Sequence, residues 1–350
     1  MRSRHRRFSA AIPVVAAGLA VTLAACGGSS SGGGGSAAAQ SSSSFYKGQT
    51  VSIVVPYGPG GGYDQWARVL SPYMQKYLGA AKVVVVNAPG GGGLIGTSKV
   101  YTAKPDGLTI GDTNAGGDVF DQIDHATGAN TDVTKYQWLG RPDNDPHVIA
   151  TRNSDQLSFD QLVNSKSTVK ALATGKGSSD YNAAVIVYNA FKIPFQMVAA
   201  FSGSSDEKAS FLSGEGTTAS VSASDIAAAK SQASPVLVVS SKKFDKLPTV
   251  PTVVDVAMKD KLPSSTVDAL TALSDVMDLG HAFFAPNGVP ADRLSALRTA
   301  FEQSMKDPAL LAAADKAGLY SGYESSADLT AATNNALSHG NLFTDLLKTP

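Results

Sequence analysis

Pro56-Tyr57-Gly58-Pro59-Gly60-Gly61-Gly62-Tyr63-Asp64 joins an apolar run, Thr50 to Val55, to a segment from Gln65 to Tyr77 in which Trp66, Val69, Leu70, Met74 and Tyr77 recur at helical spacing. A strand that passes through a glycine-rich turn straight into a helix is the opening unit of an α/β fold. Such a turn exposes several backbone N–H groups to one point, where the helix dipole adds partial positive charge, and a carboxylate is well held there. A plainer reading stands beside this one: the glycines permit a tight turn and Asp64 caps the helix.

Outward from this loop the pattern repeats. Strands are expected at Lys82 to Val86, Leu108 to Asp112, His147 to Thr151, Leu172 to Thr174, Phe195 to Ala199, Val236 to Ser240 and Ala282 to Ala285. Helices are expected at Leu94 to Tyr101, Tyr181 to Phe191, Ser205 to Ser213, Ala291 to Met305, Ala309 to Ala317 and Ala327 to Leu347. Pro290 and Asp307-Pro308 supply helix-start signals near the end of the chain. The alternation predicts mostly parallel sheets in two α/β lobes, with ligands beyond the carboxyl ends of the strands.

A second glycine loop, Asn87 to Gly96, contains Gly91-x-Gly93-x-x-Gly96, the spacing of a dinucleotide fingerprint. Any glycine run meets that spacing, and the fingerprint belongs after the first strand of its unit, so no cofactor is expected. The third loop, Thr174-Gly175-Lys176-Gly177-Ser178-Ser179-Asp180-Tyr181, lies in the second lobe. Its hydroxyls and backbone N–H groups suit a ligand that spans the cleft, and they equally suit a plain helix start. The expected ligand-binding set is Tyr57, Gly58, Pro59, Gly60, Gly61, Gly62, Tyr63, Asp64, Thr113, Thr174, Gly175, Gly177, Ser178, Ser179, Tyr181 and Ser202. For the aromatic residues Tyr57, Tyr63, Trp66 and Tyr181, packing is an alternative role.

The beginning of the chain carries a different message. Arg2, Arg4, Arg6 and Arg7 precede an apolar run from Ala10 to Leu23, which is too short to span a membrane and has the form of a secretory signal. Leu23-Ala24-Ala25-Cys26 has the lipobox pattern, so Cys26, the only cysteine, is expected to carry the lipid. A lone exported thiol is otherwise an anomaly. Residues 27–44 are rich in glycine and serine and are read as a flexible tether. Without the first 26 residues the chain is about four charges negative, which does not favour nucleic acid as a partner. The five histidines show no metal-ligand spacing, and no G-x-S-x-G elbow stands at a strand-to-helix turn, so neither a metal nor a catalytic site is expected. Asp118, Asp121, Asp124 and His125 are read as a solvated helix face rather than cation ligands.

Several of these segments together resemble a known family. Pro56-Tyr57-Gly58-Pro59-Gly60-Gly61, followed by Asp64, Ala67 and Arg68, resembles the P-F-P-P-G-G-x-x-D-x-x-A-R motif of the tripartite tricarboxylate transporter substrate-binding receptors, the Bug family. Asn87 to Gly96, Lys104-Pro105-Asp106-Gly107-Leu108-Thr109, Leu247 to Thr252, Ala285 to Pro290 and Asp307-Pro308 resemble later landmarks of that family, in the same order. The resemblance implies a type II periplasmic-binding-protein fold, two α/β lobes joined by crossing strands. Lobe I is then expected to take residues 45–146 and 275–350, and lobe II residues 147–274.

It also implies a monomeric, exported, membrane-anchored receptor, not an enzyme, that captures a small carboxylated organic molecule, a (di)carboxylate or related ligand, in the cleft. The carboxylate would be pinned by backbone amides, closure of the lobes would follow, and delivery would be to membrane subunits of the TctA and TctB type. Departures fall mainly in lobe II. Val86 and Ala88 replace the family's Glu and Arg, and Tyr181 stands where its His would fall. Its V-P-Y-K-G is reduced to Ala199-Ala200-Phe201-Ser202-Gly203. A secreted enzyme or a solute-sensing co-receptor on the same fold is the alternative.

Overall fold

The computed structural model describes residues 44–349, so Cys26 and the signal and nearly all of the tether assigned above lie outside the described residues. Eleven strands in this span form two sheets. The first sheet has the order β11-β4-β10-β3-β1-β2, with β1 at Thr50–Val55, β2 at Lys82–Asn87, β3 at Thr109–Asn114, β4 at Gln137–Asp143, β10 at His281–Ala285 and β11 at Ser321–Ser325. The second has the order β7-β6-β8-β5-β9, with β5 at His147–Arg152, β6 at Val169–Leu172, β7 at Phe195–Val198, β8 at Thr218–Ser222 and β9 at Ala233–Val238.

The chain crosses from one sheet to the other between Asp143 and His147, where β4 runs almost directly into β5. It returns through helices Val253–Lys259 and Ser264–Met277 to β10. Because strands that cross back enter against the direction of their neighbours, both sheets are mixed, which corrects the expectation of mostly parallel sheets. β1 pairs parallel with β2 and β3, whereas β10 is antiparallel to β3 and β4. In the second sheet β6 pairs parallel with β7 and β8, and β5 antiparallel with β8 and β9.

Alternation along the strands distributes the apolar side chains to opposite faces. Val51, Ile53 and Val55 join Trp66, Leu70, Met74, Phe283 and Phe301 in one core, beneath helices Gly62–Leu78 and Ala291–Met305. Val54, from the other face of β1, belongs to a second core that continues through Phe120, Ile149, Ile186, Val239 and Leu273 and so draws on both sheets. The outer face of the second sheet packs Val148, Leu172, Ala219 and Val221 against Phe211 and Ile226.

Three further expectations are corrected. The strand placed at Leu172 to Thr174 ends at Leu172, and Thr174 begins the loop, its N–H bonded to Asp180. The last long helix stops at Ser338, well short of Leu347. Helix Ala115–Ile123 does not present a solvated acidic face: Asp118 and Asp121 are buried, because the helix lies in the shared core with Ala115, Val119 and Phe120 packed there. Asp118 accepts a hydrogen bond from Thr113 Oγ1 at 2.6 Å, and burial pushes its carboxyl up to about 7. Burial, with Asp118 nearby, pushes Asp121 up to about 8.

Candidate functional site

The loop after β1 is held by its own polar residues. The Asp64 carboxylate accepts from the Gly60 N–H at 2.9 Å, from Arg68 Nε at 2.8 Å and from Asn87 Nδ2 at 3.0 Å. Burial opposes its charge, yet these donors outweigh burial and hold its pKa below the usual carboxylate range. Asp64 therefore fixes the loop from behind and does not serve as the helix cap, a position that Gly61 occupies in extended conformation. The N–H groups of the first helical turn, Gly62 to Asp64, have no acceptor within their own helix. Tyr57 completes the frame: its hydroxyl donates to the Gly92 carbonyl and accepts from Asn114 Nδ2, each at 2.8 Å.

His281, the first residue of β10, stands against that helical turn. A methyl group added to Gly62 would lie 3.1 Å from its Nε2, and its ring meets the Tyr63 ring edge-on at 4.0 Å between centroids. Its Nδ1 is ion-paired with Asp143 at the end of β4. Burial alone would lower the pKa of His281, but the Asp143 carboxylate overrides it and raises it to about 9. An imidazolium and a helix N-terminus thus face the same point.

Opposite lies the second sheet. Thr174 donates both its N–H, at 2.6 Å, and its hydroxyl, at 2.9 Å, to Asp180 in the first turn of helix Ser179–Ala190. Glu207 occupies the first turn of helix Ser204–Ser213, and Asp225, in helix Ala223–Ala228, is paired with Lys208 at 2.5 Å. His147 on β5 sits opposite Ser222 on β8. Burial lowers the pKa of His147, so its ring is neutral despite the pull of Asp180.

These groups enclose a cavity lined by Tyr57, Gly62, Tyr63, Asn114, His281 and, from the second sheet, Thr174, Asp180, Glu207, Ser220 and Asp225 among others. It holds about 40 Å³, a few waters' worth of space. A guest of more than a few heavy atoms requires the two sheets to part.

Of the residues expected to bind ligand, the structure brings Tyr57, Gly62, Tyr63 and Thr174 to the cavity wall. Others mediate contact between the two halves. Gly58 donates its N–H to the Ser202 carbonyl at 2.8 Å, and a Cβ on Gly61 would meet Ser204 Oγ at 2.8 Å. Gly60 and Asp64 fix the loop, and Pro59 is exposed at its tip. A Cβ on Gly175 would lie 2.9 Å from Gly92 Cα, so these loops touch backbone to backbone. Thr113 is fully buried between Thr97 and Asp118, away from the cavity. Ser178 donates to the Gly175 carbonyl, and Ser179 packs against Gly116. Gly177 and Tyr181 line a separate open groove with Lys176 and Thr344. Sequence reasoning missed His147, Glu207, Ser220, Asp225 and His281, each an isolated polar residue without a local motif. The one available signal was a polar residue at the start of an otherwise apolar strand, as at His281.

No family model matches the chain. It is 25% identical over 280 residues to a UPF0065 protein of Agrobacterium vitis from the TAR-I ttuE-ttuC' intergenic region, covering 76% of this chain and 74% of that protein. Over 65 residues, 19% of this chain and 20% of the relative, it is 42% identical to BugT of Bordetella pertussis. Among solved structures it matches the periplasmic binding protein BugD with a TM-score of 0.71 at 20% identity, covering 85% of this chain and 97% of BugD. MatC from Rhodopseudomonas palustris with bound malate gives 0.68 at 19% identity, over 85% and 99% of the two chains. An R. palustris protein with adipate gives 0.69 at 17% identity, over 85% and 97%. The fold is that of a periplasmic binding protein, with two α/β halves flanking a cleft. In sequence the chain resembles UPF0065 and Bug proteins, and in fold BugD and a TctC solute binding protein from Polaromonas.

Proposed function

We propose that this protein is an exported solute-binding receptor of the Bug type, anchored through Cys26, that captures a small carboxylated molecule between its sheets. It hands that molecule to a tripartite tricarboxylate-type membrane transporter and performs no chemistry on it. Lobe I would comprise residues 45–146 and 275–350, and lobe II residues 147–274.

One observation carries the carboxylate assignment. His281, whose Nδ1 is taken by Asp143 and whose Nε2 stands beside Gly62, lines the cavity together with the first turn of the Gly62 helix, so a guest anion would find an imidazole N–H and a helix N-terminus at one place. The malate and adipate in the structures with the same fold agree with this reading. Calorimetry with short dicarboxylates and their dimethyl esters tests it. Binding by the free acids alone is expected; equal binding of the esters, or none by either, would reject it.

A further inference from the structure

The far wall of the cavity is built for the opposite charge. We propose that Glu207, Ser220 and His147 form a cation subsite that takes a protonated nitrogen of the ligand, so that the guest is a small zwitterion. The other end of that zwitterion, its carboxylate at the Gly62 turn, rests on the function proposed above.

Glu207 is 1% exposed and lines the cavity, yet among the described residues neither of its carboxyl oxygens has a hydrogen-bond partner. Buried carboxyls are normally satisfied, so an orphan that faces a cavity is unusual. Its acidic neighbours are satisfied. Asp180 takes the N–H and hydroxyl of Thr174, and Asp225 takes Lys208 and the Ser222 hydroxyl. Two further buried atoms on the same wall lack partners, Ser220 Oγ on β8 and His147 Nδ1 on β5. Each can accept a hydrogen bond when the imidazole is neutral. An alkylammonium carries three N–H donors, which matches three acceptors from three elements. No lysine or arginine lines the cavity among the described residues, so the protein supplies no competing cation on this wall.

The charged groups around Glu207 set what happens on binding. Asp180 faces it from helix Ser179–Ala190 and Asp225 from helix Ala223–Ala228, with His147 on β5 and His281 on β10 across the cavity. On its own helix, Lys208 is committed to Asp225, and Asp206 accepts from the Ser202 hydroxyl. Burial, then repulsion from Asp180 and Asp225, pushes the Glu207 carboxyl well above its usual range, so it holds a proton while no cationic guest is bound beside it. An ammonium guest takes over that neutralising role, and the proton leaves to solvent. A guest hydroxyl would leave the carboxyl protonated.

The full chain is titrated calorimetrically with short dicarboxylic α-amino acids, with the same diacids lacking the amine, and with 1,4-diaminobutane. Two buffers of different ionisation enthalpy are used. Expected is at least tenfold tighter binding of the amino diacid, with release of close to one proton, and loss of both in Glu207→Gln at unchanged melting temperature. Equal affinity for the two diacids, with Glu207→Gln silent, overturns the cation subsite and leaves the carboxylate reading intact. Binding of the diamine but of no diacid, abolished by Glu207→Gln, sustains the subsite and removes the carboxylate reading. Binding of none of the three overturns both.

Discussion

The Gly58 N–H donates to the Ser202 carbonyl at 2.8 Å, a backbone bond that ties the loop after β1 to the loop before helix Ser204–Ser213 across the two sheets. Beside it, Gly92 lies against Lys176 and Gly175 with no room for a side chain. The glycine loops therefore let two main chains come into direct contact where the two halves meet.

Gly92→Ala tests that role. Gly92 has φ +67°, and a Cβ there would lie 2.4 Å from the Lys176 carbonyl oxygen, a clash with backbone that no side-chain rotation relieves. The variant is expected to stay more open, with ligand affinity reduced about tenfold or more, while each half keeps its core. Small-angle scattering with saturating ligand checks this; a radius of gyration equal to that of the unsubstituted protein would refute it.

Tyr57→Phe removes a hydroxyl that satisfies both Asn114 and Gly92. Leaving these groups unpaired is expected to cost about 1–3 kcal/mol of stability. Urea titration at neutral pH measures it, and a midpoint unchanged within error would show that the bridge is dispensable.

The Asp143–His281 pair makes stability depend on alkaline pH. His281 is raised from an unfolded value near 6.5 to about 9, so the folded state holds the proton more tightly. Its contribution is fully present below about pH 6.5 and is lost as the pH rises through about 9. The shift corresponds to roughly 3 kcal/mol as an order of magnitude. Melting temperatures between pH 6 and 10 are expected to fall less steeply for Asp143→Asn than for the unsubstituted protein. Parallel curves would count against the pair.

Cys26→Ala addresses the proposed anchor. The variant is expected to be released into the medium or to accumulate as an unprocessed precursor. Incorporation of labelled palmitate into it would contradict the assignment.

The fold was legible where strand, turn and helix follow one another within about 30 residues. Thr50–Val55, Leu94–Tyr101 and Ala291–Met305 have the bounds their spacing implies, because local periodicity and helix-start signals act over a few residues. β4, β8 and β11 were not anticipated, nor was helix Ser264–Met277. Helix Ala115–Ile123 was legible as a helix, but its acidic residues gave it a solvent-facing appearance, which packing against both sheets overrode. Half of the site behaved the same way. Tyr57, Gly62 and Tyr63 stand out because one loop carries them, whereas Glu207 and Ser220 are single polar residues in unremarkable surroundings.

By itself the sequence determined the alternating α/β order and the glycine turn before the Gly62 helix, since each depends on neighbours along the chain. Only the tertiary structure decided the polarity of the cavity. Asp143 and His281 are 138 residues apart and meet because β10 lies between β3 and β4, while Glu207 is stripped of water by folding of the opposite sheet. Charge state and hydration follow from burial and from partners brought in by strand order, and no local stretch of residues encodes either.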